Sequence, residues 1–316
     1  MTEPTEINAL KSLSKAVKDL DNLNLTQRKL FDKIEHTHTN IFIQGQAGTG
    51  KSTFIKYLKK HSKKRIRLVA PTAIAALNIE GATIHSMFTL PLGDFLIMRE
   101  ILSSRRRKLK SILKKTDILI IDEVSMVRPD ILDAIEALCC QARGNLALFG
   151  GLQIILIGDL CQLPPIIKYE AQPAFKQEYG TCEPYFFDSK AYQKGGFEKI
   201  ELTEVYRQSD TELLKYLQNL RKDENLPETI AYFNRAETYP ADFAATAITI
   251  TPYRQVAENI NRRKLAAIQK EEKTYDAQLA GSFEKMQDTP SPKTLTLKEG
   301  ALVVFNKNNY PDYING

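Results

Sequence analysis

The chain has few cysteines, four in 316 residues, and those at 139, 140, 161 and 182 form no pair with a metal-ligand spacing. This excludes a disulfide-rich secreted scaffold and a cysteine metal finger, and the thiols are expected to stay reduced, as in the cytosol. Long hydrophobic runs are also missing. No apolar stretch approaches the roughly 20 residues that a helix needs to cross a bilayer, so no membrane partner is expected. The first residues hold Glu3 and Glu6 and no apolar core, which argues against a secretory signal or an Arg-rich transit peptide. The expected location is cytoplasmic, nucleoid-associated in a bacterium. Charge bias is mild: 44 basic against 38 acidic residues give a net charge of +6, which permits a polyanionic partner without requiring one. A hydrophobic fraction of 43% is ordinary for a globular chain, and the length suffices for two domains with their own cores.

What the sequence does contain is centred on Ile41 to Thr53. The apolar strand-like run Ile41-Phe42-Ile43 leads through Gln44 into Gly45-Gln46-Ala47-Gly48-Thr49-Gly50-Lys51-Ser52-Thr53, and a helix-like segment follows from Phe54 to Lys60. Gly45, four residues and then Gly50-Lys51-Ser52 is the spacing of a phosphate-binding loop. Glycines allow successive N–H groups to turn toward one point at a helix N-terminus, which makes an anion nest. Lys51 is placed to reach the β- and γ-phosphates and the Ser52 hydroxyl to ligate Mg²⁺. Strand, loop and helix coincide, so binding of a nucleoside triphosphate is expected.

Around this loop the chain alternates strands and helices. A short amphipathic helix is expected from Leu25, with Gln27 either a plain surface residue or a reader of the adenine edge. A second strand, Ile66 to Ala70, runs into Pro71-Thr72 and an Ala-rich helix start, and Gly81 to Phe88, with His85 and Ser86, is expected to be a loop. Near residues 90–115 lies a basic helical insertion containing Ser103 to Lys108, which either faces phosphates or is a solvated surface. Asp117 to Ile121 reads as a buried parallel strand that ends in Asp122-Glu123. Ligands of open parallel sheets sit at strand carboxyl ends, so Asp122 is expected to hold Mg²⁺ and Glu123 to activate the attacking water. A third strand, Leu152 to Ile157, ends in Gly158 to Pro165, with Gln162 beside the nucleotide. The pattern restarts near residue 195: strands Lys199 to Leu202 and Ala247 to Ile250 and helices Thr211 to Arg221 and Gln255 to Ile268 predict a second α/β unit. On its own Arg207, at the start of that unit, reads as a surface arginine.

In this order the blocks resemble the PIF (petite integration frequency) family of DNA helicases in superfamily 1, relatives of RecD-type helicases. The resemblance covers Leu25 to the last residue. It rests on Gly45–Thr53, Ala70–Ala76 with Gly81–Ser86, Ile121–Met126, Phe149-Gly150-Gly151 before Gly158–Pro165, and Leu202–Gln208. The stretch from Met126 to Pro165 carries the most family-specific signal.

The resemblance implies an α/β P-loop NTPase with two RecA-like domains. The expected boundaries are an extension over 1–24, a first domain over 25–195 and a second, incomplete one over 196–316. It also implies that Gln27 recognises adenine, that Lys51, Ser52 and Asp122 bind phosphates and Mg²⁺, and that Glu123 is the catalytic base. Gln162 and Arg207 would contact the γ-phosphate, and Pro71, Thr72, His85 and Ser86 the DNA backbone. The implied cofactors are ATP and Mg²⁺, and the implied partner is single-stranded or tailed duplex DNA, bound by a monomer. Arg254 departs from the family's usual asparagine, and the block from Leu297 stops at Gly316 where relatives continue. The expectation is therefore a 5′→3′ helicase motor, truncated and poor at unwinding, with an ATP-dependent DNA-binding module as the alternative and a small-molecule kinase as a weaker one.

Overall fold

Short continuous apolar runs at the strands set the architecture. In the computed structural model, residues 23–91, 93–103, 106–205, 211–235, 248–278 and 292–303 are described, and the chain divides into two units, Met1–Glu224 and Asn225–Gly316. The first unit begins with α1 (Leu25–His36), β1 (Ile41–Gly45), α2 (Lys51–His61), β2 (Ile66–Ala70), α3 (Ala73–Asn78), β3 (Ala82–Thr83) and α4 (Ile84–Phe88). It continues with α5 (Met98–Ser103), α6 (Arg107–Leu113), β4 (Ile118–Ile121), α7 (Pro129–Arg143) and β5 (Gln153–Gly158). It closes with α8 (Gln172–Tyr179), α9 (Lys190–Lys194), β6 (Glu198–Leu202) and α10 (Thr211–Lys222).

The six strands form one parallel sheet in the order β3-β2-β4-β5-β1-β6. Its central strands are apolar at every other position on both faces. Ile41, Ile43, Ile118, Ile120, Ile155 and Ile157 pack with Leu30 and Ile34 of α1 and Phe54 and Leu58 of α2. Phe42, Leu119, Ile121, Ile154 and Leu156 pack on the other side with Leu132, Ile135 and Leu138 of α7. A continuous apolar run is what a strand covered by helices on both faces requires. The Phe149-Gly150-Gly151 turn is part of this packing. Phe149 is buried in a left-handed conformation (φ 52°), and a Cβ on Gly150 would lie 2.6 Å from the Cys139 carbonyl of α7. Only a residue without a side chain permits that approach.

Three expectations are corrected. The strand around 199–202 does not open the second unit: β6 pairs with β1 from Ile41↔Glu198 to Gly45↔Leu202, so the first unit runs past residue 195 to Glu224. Residues 81–88 are not a loop, because Thr83 caps α4 by accepting a hydrogen bond from the Ser86 N–H. Residues 248–250 form no strand, and Ile248 and Ile250 are exposed. Arg106, from the basic insertion, is turned inward: its guanidinium donates to the Phe88 and Ile101 carbonyls. The described part of the second unit holds α11 (Leu226–Phe233), α12 (Arg254–Ala267) and the antiparallel pair β7 (Glu272–Asp276) and β8 (Thr294–Lys298). Among the described residues no helix is long and apolar enough to cross a membrane.

Candidate active site

The carboxyl ends of β1, β5 and β4 lie side by side, because β5 pairs with both other strands. Each end carries a polar group. After β1 the loop closes on Gly50, which is left-handed (φ 81°) and caps α2, while Gly48 is also left-handed (φ 85°). Thr49 Oγ1 donates to the Gln46 carbonyl at 2.8 Å. Gly45 has no room for a side chain: a Cβ would stand 2.6 Å from Thr49 Oγ1 and 3.1 Å from the Leu202 carbonyl of β6. Lys51 Nζ donates to the carbonyls of Gly45 (2.6 Å) and Gln46 (3.0 Å), so the ammonium sits within its own loop.

After β4, Asp122 is buried and its N–H donates to the Val69 carbonyl of β2. Burial first, and then the charge of Glu123, push the Asp122 carboxyl up to about 6. Glu123 takes a left-handed conformation (φ 50°) at the start of a short 3-10 turn, Val124–Met126. After β5, Asp159 is buried, and its carboxylate accepts from the Cys161 N–H (3.1 Å) and from Gln162 Nε2 (3.2 Å). Burial lowers the Lys51 ammonium. Asp159, Glu123 and Asp122, in that order, pull it back up, and Arg221 pushes it down, so all five charges act on one region.

Ser52, Thr72, Asp122, Glu123 and Gln162 line one cavity of about 360 Å³, together with Asn78 and Ser125. Five residues singled out from the sequence therefore meet at one place. His85 and Ser86 are not among its lining residues. The His85 imidazole is held below its usual value by burial and then by the Arg128 charge. Gln27 is buried and forms a capping box with Asn24: Asn24 Oδ1 accepts from the Gln27 N–H (2.7 Å) and Gln27 Oε1 from the Asn24 N–H (3.3 Å). Arg207 lies outside the described residues. Asp159, Asn78 and Ser125 were not singled out from the sequence, though Asp159 and Ser125 stand inside blocks that were.

The donors suit Mg²⁺. Asp122 is a buried carboxylate raised to about 6, a group whose charged form a nearby cation would stabilise. Among the described residues no cluster of three or more His, Cys, Asp or Glu is poised to cage a metal. A sparse oxygen set such as Ser52 and Asp122 fits an ion that keeps its waters and shares phosphate oxygens.

Comparison with known proteins points to one family. Over 309 residues the chain is 31% identical to the ATP-dependent DNA helicase PIF1 of Emericella nidulans, covering 92% of this chain and 40% of that protein. It thus spans less than half the length of that relative. The crystal structure of a Bacteroides Pif1 bound to single-stranded DNA superposes with a TM-score of 0.80 at 32% identity, over 93% of this chain and 68% of that one. A Bacteroides Pif1 in complex with ADP-AlF3 and single-stranded DNA gives 0.78, with the same identity and coverage. The family described as PIF1-like helicase matches residues 22–226, and the chain belongs to that family.

Proposed function

We propose that the chain binds Mg-ATP and works as an ATP-driven 5′→3′ motor on single-stranded DNA, acting on tailed duplexes as a cytoplasmic monomer. The observation that carries this is the meeting of Ser52, Asp122, Glu123 and Gln162 around one cavity at three adjacent strand ends. In this reading the loop amides from Gln46 to Ser52 receive the phosphates and Lys51 leaves its loop carbonyls for the β- and γ-oxygens. Ser52 and Asp122 would hold Mg²⁺, which would supply neutralising charge to those oxygens. Glu123 takes a proton from the attacking water as the water oxygen bonds to the γ-phosphorus and the bond from that phosphorus to the β,γ-bridging oxygen breaks, releasing ADP and phosphate, and Gln162 orients the γ-phosphoryl group. Gln27 reads adenine with whichever amide capacity its capping box leaves. Arg207 is assigned to the γ-phosphate on the family resemblance.

Pro71, Thr72, His85 and Ser86 are assigned to the DNA backbone. Thr72 lines the same cavity as Glu123 and caps α3, so a DNA contact there would adjoin the nucleotide. The Bacteroides relatives, solved with single-stranded DNA and ADP-AlF3, support both ligands.

The test is ATP turnover with and without a single-stranded oligonucleotide, together with DNA affinity over a salt series. Stimulation by DNA and affinity that falls steeply with salt are expected, because phosphate contacts release counterions. Binding of both ligands without stimulated turnover would mark an ATP-dependent binding module instead. Absence of single-stranded DNA binding would refute the motor.

A further inference from the structure

One half-buried cation near the cavity has no assigned role. Arg221 lies in the last turn of α10, and its Nη1 donates to Asp159 Oδ1 at 2.5 Å, with side chains 19% and 3% exposed. Asp159 is the junction of the β5 strand end. Its Oδ1 also accepts from the Cys161 N–H, its Oδ2 accepts from Gln162 Nε2, and its backbone carbonyl accepts from the Gln162 N–H at 3.0 Å. Gln162 in turn lines the cavity. A chain of contacts therefore runs from α10 through Arg221 and Asp159 to Gln162.

The charges give this chain a purpose. A buried carboxylate beside a triphosphate site repels the ligand unless a cation offsets it. Asp159 holds Gln162 by its side chain and Gln162 lines the cavity, so the Asp159 charge lies beside the place that would take the phosphates. Arg221 is the cation that offsets it. Without it, Asp159 would be a buried, unpaired charge, which is strongly unfavourable, and it would be free to turn and release Gln162.

We propose that Arg221 is a positioning residue of the triphosphate site. It neutralises Asp159 and fixes the Asp159–Gln162 pair, so that Gln162 presents its amide to the terminal phosphate. It also ties the presence of that phosphate to α10, the last helix before the second unit begins at Asn225. This rests on the proposed ATP site and adds a residue that no local motif marks.

Titration calorimetry on the full chain with Mg-ADP and with the non-hydrolysable Mg-AMPPNP separates the possibilities. Arg221→Gln is expected to weaken the triphosphate by about tenfold or more, the scale of one charge-assisted hydrogen bond, and to leave Mg-ADP within about twofold of wild type. The double variant Arg221→Gln with Asp159→Asn is expected to regain most of that loss, since the charge that needed offsetting is gone. A purely structural arginine would not be rescued this way. Parallel loss of both nucleotides, no loss at all, or no recovery in the double variant overturns the proposal. If Arg221→Gln does not fold by circular dichroism, Arg221→Lys replaces it with a smaller expected loss, because a lysine keeps the charge without the planar fork. A wild-type chain that binds neither nucleotide would overturn the ATP site itself. Normal wild-type discrimination with an unchanged Arg221→Gln would overturn only the role of Arg221.

Discussion

Replacing Asp122 by asparagine removes a charge that the folded chain holds against its preference. Burial first, and then the Glu123 charge, raise the Asp122 carboxyl from 3.8 to about 6, while a hydrogen bond from the Glu123 N–H and the Lys51 charge pull the other way. The folded chain thus holds this proton more tightly than the unfolded one. Its contribution to stability is fully present below the unfolded value and is lost as pH rises through about 6. From those two values the charged carboxylate costs about 3 kcal/mol at pH 7.5, roughly half of that at pH 5 and under about 1 at pH 4. Asparagine has nearly the same shape and no charge. In buffer free of divalent cations, Asp122→Asn should therefore be more stable than wild type by up to about 3 kcal/mol at pH 7.5, with the advantage roughly halved at pH 5. Urea denaturation followed by far-UV circular dichroism is the appropriate assay, since the chain has no tryptophan to report by fluorescence. The same variant should lose the Mg²⁺-dependent part of its ATP affinity. An Asp122→Asn protein that is no more stable than wild type at pH 7.5, or an advantage that grows toward low pH, would refute this account of the site.

Two further substitutions separate roles within the site. Glu123→Gln keeps the size and polarity of the side chain but cannot take the water's proton, so turnover should fall by roughly 10²–10⁴-fold. ATP affinity by calorimetry should stay near wild type; joint loss of both would make Glu123 structural. Gln27→Ala removes half of the capping box and should destabilise the chain by about 0.5–1 kcal/mol in the same urea assay. It should also reduce the preference for ATP over GTP in competition binding, and an unchanged preference would leave Gln27 as a cap alone.

Much of the first unit was legible because its signals are local. Ile118 to Ile121 and Gln153 to Gly158 are buried throughout, and a strand covered on both faces shows this as an unbroken apolar run. The phosphate loop and Asp122-Glu123 follow from spacing and from the rule that ligands sit at strand carboxyl ends. What was misread depends on partners far away in the chain. Glu198-Lys199-Ile200-Glu201-Leu202 has the polar outer positions of an edge strand, and nothing in those residues says which sheet they join; pairing with β1 decides it. The Arg221–Asp159 ion pair likewise spans two distant segments with no periodic mark. The capping box was visible as Asn24 followed three residues later by Gln27, a pattern eclipsed by the reading of Gln27 as an adenine contact. The glycines of Phe149-Gly150-Gly151 drew notice as a family signature, whereas their physical reason, the close approach to α7, depends on tertiary packing.

The place of β1 between β5 and β6 also sets the order in which the protein can assemble during synthesis. The phosphate loop leaves the ribosome before the strands that flank it, which arrive only with residues 153–158 and 198–202. Long-range parallel pairing is slow, because loop closure comes before any contact is gained. Until Leu202 has been made, the Gly45 end of β1 has one edge open and the loop lacks the carbonyl against which Gly45 is fitted. A nucleotide held at this loop would therefore favour the sheet that already carries β5 and β6 over one that still lacks them.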